Sequence, residues 1–161
     1  MRLYLPATPA DLRSGLTPRW AHAVTTALRA ELPEEDDEGL EMVATLAAAD
    51  ESVTLLGSGT ALEVAGGHVA PRRVVIVADV PDSAVLVPEV LGEEQLPTAV
   101  EVVEPVDWSE VVAILVDEPE AEQDVRAAAG GDEEALERAA ERDLLWFDVV
   151  ELADLRRELS A

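Results

Sequence analysis

The chain has 161 residues, 48% of them hydrophobic, no cysteine, and a formal net charge of −24 at pH 7. That length suits one domain with a core of its own, and the missing cysteines exclude disulfides, thiolate metal sites and cysteine nucleophiles. All eleven basic residues are arginine, and between Arg29 and Arg126 only Arg72 and Arg73 are basic, so the chain lacks the positive footprint that nucleic acid or an anionic membrane requires.

The N-terminal "RLYLP" (2–6) alternates and stops at proline, which predicts a short strand. In "TPADLRSGL", Thr8 is placed to cap a helical turn, Pro9 suits its first position and Gly15 ends it. "PRWAHAVTTALRAEL" sets Trp20, Val24, Ala27, Leu28 and Glu31 near one stripe, predicting a helix over 19–31 that Pro33 stops. The acids of "ELPEEDDEGLE" then complement the start of the next helix, over 38–56, with Met42, Leu46, Ala49, Val53 and Leu56 as its apolar stripe. Residues 57–71, with four glycines and a proline, read as a flexible loop.

The second half turns to strands. "RRVVIVADV" (72–80) is a continuous β-branched run suited to a buried central strand. "SAVLVPEV" is a short strand or turn interrupted by Pro88. Strands are predicted at 98–106 and 111–117. "EPEAEQDVRAAAGG" and "DEEALERAAERD" read as two helices, the second with Glu134 and Arg138 as an i,i+4 pair. "LLWFDVV" (144–150) is a final buried strand, and "ELADLRREL" a closing helix with arginines in its last turn.

These elements predict a single α+β domain over 1–161: a ferredoxin-like split βαββαβ sandwich with an enlarged helical first crossover and a C-terminal helix. The runs at 73–79, 111–116 and 144–149 are expected in one sheet with the helix 38–56 across one face.

Candidate chemistry is sparse. His22, with Thr25 and Arg29 beside it on the predicted helix, becomes a general base only if a carboxylate orients one ring nitrogen and leaves the other for substrate. Glu41, or another acid of the following helix, is placed to supply that carboxylate. The competing reading is a histidine that bridges two elements. Trp108 in "VDWSEV" is either a partner anchor or buried under the sheet, and Asp107 and Glu110 around it have capping-box spacing. Asp79, Asp117 and Asp148 each end a strand, an arrangement that Mg²⁺ uses when the ends converge, but Asp117 with Glu120 also has capping-box spacing. His68 lies in the glycine-rich loop and reads as surface. No metal-ligand spacing, phosphate loop or nucleophile elbow is found, so no metal and no cofactor are expected.

The segments "MRLYLPAT", "AHAVTTALR", "RRVVIVADVP", "VDWSEVVAILVDE" and "LLWFDVVEL", in that order, resemble a family of small acidic actinobacterial proteins known only as a domain of unknown function. The resemblance implies a cytosolic setting and no mechanism, and 57–71 is longer than the family suggests. The expected function is a cytoplasmic protein-interaction or regulatory module whose acidic face meets a partner with a basic surface, without nucleic acid or membrane binding, and with a homodimer as one option. Alternatives are a small enzyme or ligand-binding domain with a pocket near His22, and a nucleic-acid mimic. The candidate binding residues are His22, Thr25, Arg29, Glu41 and Trp108.

Overall fold

The computed structural model describes residues 1–58 and 70–159. Its centre is one seven-stranded antiparallel sheet: β1 (Arg2–Ala7), β2 (Arg19–His22), β3 (Val74–Asp79), β4 (Val85–Leu86), β5 (Ala99–Val102), β6 (Val111–Asp117) and β7 (Leu144–Asp148), in the order β4-β5-β2-β1-β3-β6-β7. The expected runs 73–79, 111–116 and 144–149 do lie side by side as β3, β6 and β7. The split βαββαβ arrangement does not hold. It would set β1 parallel to the strand after the helical crossover, with another strand between them, whereas β1 pairs β3 directly and antiparallel over six residues, Arg2 opposite Asp79 through Ala7 opposite Val74. The remaining strands add outward, with β2 on the other side of β1.

Six α-helices accompany the sheet among the described residues: α1 (Asp11–Ser14), α2 (Thr26–Glu31), α3 (Asp37–Gly57), α4 (Glu122–Ala129), α5 (Glu133–Ala140) and α6 (Leu152–Leu159). Strand alternation sends Leu3, Leu5, Val74, Ile76 and Val100 to one face, where Leu12, Leu16, Leu155 and Leu159 close over them. Tyr4, Val75, Val77 and Ala113 point to the other face, against Ala44, Ala48 and Ala49 of α3. Because β3 and β6 are covered on both sides, they read as unbroken apolar runs. A third cluster joins Leu56 of α3 to Ala121, Val125 and Ala139 around α4 and α5.

Three elements differ from their sequence reading. Residues 19–22 form β2, not the first turns of a helix; Thr25 caps a shorter α2, accepting from the Leu28 N–H at 3.0 Å. The 3.6-residue spacing of Trp20, Val24 and Ala27 was outweighed by strand pairing, Arg19–His22 opposite Val102–Ala99. On α3 the expected Ala49, Val53 and Leu56 are buried, but in the first half the stripe is small, through Leu40, Ala44 and Ala48, while Met42 and Leu46 face solvent. Alanines let the helix lie close to the sheet; larger side chains would hold it off. Finally, β7 is an edge strand, and Trp146 is 61% exposed rather than buried.

Other details separate similarly. Thr8 does not cap α1; its N–H donates instead to the Asp11 carboxylate at 2.9 Å. Gly15, at φ 95°, ends that turn in a conformation that glycine adopts without strain. Arg138 pairs across to Asp124 of α4 at 2.9 Å and not along its own helix to Glu134. The Asp107–Glu110 capping box forms, and so does a second at Asp148–Glu151. Most of the glycine-rich segment, with His68, lies outside the described residues.

Candidate functional site

β2 lies between β1 and β5, and its alternation turns Ala21 into the core while Trp20 and His22 face the α3 side. His22 is 5% exposed and spans two elements. Its Nδ1 lies 2.7 Å from the Thr98 hydroxyl and its Nε2 2.6 Å from Oε2 of Glu51 on α3. An ionised carboxylate only accepts hydrogen bonds, so Nε2 carries the proton and, in the neutral ring, Nδ1 accepts from Thr98. That assignment follows from the partners. Thr98 is itself 1% exposed, and its carbonyl accepts from the Ala23 N–H at 2.9 Å. The Thr25 hydroxyl donates to the neighbouring Pro97 carbonyl. Strand β2, the segment before β5 and helix α3 are thus tied at one point.

With both ring nitrogens engaged, His22 has none left for a substrate proton. What it does is fix Glu51. Oε2 of that carboxylate is held, Oε1 accepts no hydrogen bond among the described residues, and the side chain is 36% exposed. Glu51 and Trp20 together form part of the walls of two hollows. The larger, about 550 Å³, opens between α3 and residues 6–20 and includes Pro6, Asp11, Arg19 and Leu55. The smaller, about 260 Å³, lies over His22 and is closed by Glu94, Gln95 and Leu96. A third hollow, about 240 Å³, lies on the far side of Trp20 beside Glu101. Arg19, the cation in this wall, is spent on Asp11 through contacts at 3.2 and 3.1 Å and on the Pro6 and Thr17 carbonyls.

The five candidates do not converge. His22 and Thr25 meet through Pro97 and Thr98. Arg29 is exposed and pairs with Asp37 at 2.9 Å. Glu41 is exposed on α3; its charge, after burial, helps hold the Tyr4 hydroxyl above the usual tyrosine range. Trp108 packs half-buried against the opposite face, with the Arg156 guanidinium 5.8 Å from its ring centre. The carboxylate on His22 comes from the helix expected to supply one, but it is Glu51 and not Glu41. Trp20 and Thr98 were missed. The two-residue spacing of Trp20 and His22 around Ala21 is the signal for their shared face, and it was hidden by the competing helical spacing.

Asp79, Asp117 and Asp148 also stay apart. β3 and β6 run antiparallel, so Asp79 and Asp117 end at opposite sides of the sheet. Asp79 pairs with Arg2, Asp117 with Arg73, and Asp148 caps the turn after β7. Asp117 therefore does not cap the next helix with Glu120. Among the described residues no group of three or more potential ligands is placed to hold a metal, and no helix is long and apolar enough to cross a membrane.

Fold and site together define an α+β protein: one antiparallel sheet, helices on both faces, and a histidine-braced carboxylate beside an exposed tryptophan. The chain belongs to the Family of unknown function (DUF6912), whose model matches residues 1–155. Comparison with curated proteins and with solved structures finds no match in either.

Proposed function

We propose that this is a cytoplasmic protein-interaction module whose surface around Trp20 receives a basic segment of a partner protein. The observation that carries it is a row across three strands on one face: Leu86, Glu101 and Trp20 lie directly opposite one another on β4, β5 and β2. Leu86 is 56% exposed and Trp20 40%, in a fold that buries its other apolar side chains on β1 and β3 completely or nearly so. Hollows on both sides of Trp20 give side chains somewhere to go, and Glu51, Glu94 and Glu101 border them. An aromatic anchor ringed by acids matches a segment carrying arginine or lysine. The net charge of −24 would draw it in and repel acidic competitors.

Titration of ¹⁵N-labelled protein with a short arginine- and lysine-rich peptide, read at the backbone amides of β2 and β5, which remain when Trp20 is replaced, tests this. Saturable binding that weakens with salt and is lost in Trp20→Ala is expected. No binding of basic peptides, or equal binding by the Trp20→Ala protein, would overturn it.

A further inference from the structure

We infer that Glu51 is the seat for a single cationic side chain, a guanidinium or ammonium on an aliphatic stem, entering the large hollow between β2 and α3. The inference rests on the reading above and names the group the surface selects. Three features support it.

The first is preorganisation. A surface glutamate ordinarily loses rotamer freedom when it captures a ligand; Glu51 has already been fixed by a buried histidine anchored on a buried threonine. The second is unused capacity. Oε1 is without a hydrogen bond among the described residues, and Arg19 in the same wall is committed to Asp11. The third is shape. Pro6, Ala10 and Leu55 give the hollow apolar walls for a methylene stem, and Trp20, in the wall shared with the second hollow, adds an aromatic surface for the charge. A carboxylate oxygen and an indole face favour a cation over a neutral group of the same shape.

The probes are N-acetyl-arginine amide and its neutral isostere N-acetyl-citrulline amide, titrated while the Trp20 indole N–H is followed. The arginine compound should shift the resonance saturably and bind at least about tenfold tighter than the citrulline compound, the difference expected of one charge-assisted contact. Glu51→Gln keeps an acceptor for the His22 Nε2–H, so it should fold and melt near the parent while losing that discrimination. Equal binding of the two amides, or discrimination that survives Glu51→Gln, overturns the seat. If the basic peptide binds through Trp20 while the amides are not distinguished, the seat fails and the interaction surface stands. If the peptide also fails to bind, both fall.

Discussion

Arg73 and Asp117 face each other in a bidentate ion pair whose side chains are 1% and 0% exposed. Nε and Nη2 of Arg73 donate to the two carboxylate oxygens at 2.9 and 2.8 Å, and the Arg73 backbone N–H adds a third bond at 2.8 Å. The pair fastens the chain just before β3 to the last residue of β6. Its net contribution beyond a hydrophobic substitute is small, but removing one partner strands the other charge in the interior. Asp117→Ala should therefore cost about 3–5 kcal/mol, or roughly ten degrees in melting temperature for a chain of this size. Asp117→Asn should cost less, because it can still accept a hydrogen bond. A melt of Asp117→Ala within two or so degrees of the parent, on that same scale, would contradict this account.

His22→Ala should lower stability by about 1–3 kcal/mol, because it leaves the buried Thr98 hydroxyl unpaired and frees Glu51. His22→Gln, which can reach one of the two partners, should fall between. Paired melts of the three proteins check this, and an alanine variant as stable as the parent would show that the bridge carries no stability.

Two glycines of α3 should respond in opposite directions to alanine. At Gly57 a Cβ would meet the Ala129 carbonyl oxygen at 2.5 Å, where α3 crosses the end of α4. Backbone cannot step aside as a side chain can, so Gly57→Ala should destabilise by about 1–3 kcal/mol. At Gly39 the obstruction is the far end of the flexible Glu35 side chain, which can swing away. Gly39→Ala should then gain part of the helix propensity, up to about 1 kcal/mol. Denaturant midpoints of the two variants decide the matter.

The Arg2 guanidinium, hydrogen-bonded at 3.0 and 2.9 Å, holds the Asp79 carboxyl below its ordinary value. A carboxyl whose folded pKa is depressed contributes stability above its unfolded pKa and loses it as pH falls through the folded one. Both side chains are about half exposed, so the effect is small and salt-sensitive. Asp79→Asn should lower the melting temperature slightly at neutral pH and leave it unchanged once the pH is below the carboxylate range. A difference that persists at low pH would point to another cause.

At neutral pH the uncompensated acids repel one another, so raising NaCl toward about 0.5 M should raise the melting temperature by screening. Peptide binding at Trp20 should weaken over the same range. Opposite salt responses of folding and binding are the signature of this charge distribution, and a melting temperature that falls steadily with salt would count against it. A gel shift with DNA should be absent at physiological salt.

Much of the fold was legible in the chain. β-branched runs at 74–79 and 111–117 could be buried strands and little else, since a solvated strand would alternate. Glycine marked the end of α1, proline that of α2, and the acid-rich segment the start of α3, whereas Pro6 does not stop β1 but lies inside it opposite Val75. Composition alone removed cysteine chemistry and made a cationic surface implausible. The buried face of the second half of α3, with Ala49, Val53 and Leu56, was legible, but that of the first half was not, because an alanine stripe and one with Met42 and Leu46 fit the same periodicity; only the close approach to the sheet selects the small residues. The site was hidden for a related reason. Four residues, Arg19 to His22, are too few for a period to show, and partners on β1 and β5 made them a strand. That pairing turned Trp20 outward and set His22 between Thr98, 76 residues away in sequence, and Glu51, 29 residues away. Local sequence carries propensity and spacing; contacts across such separations exist only once the sheet has closed.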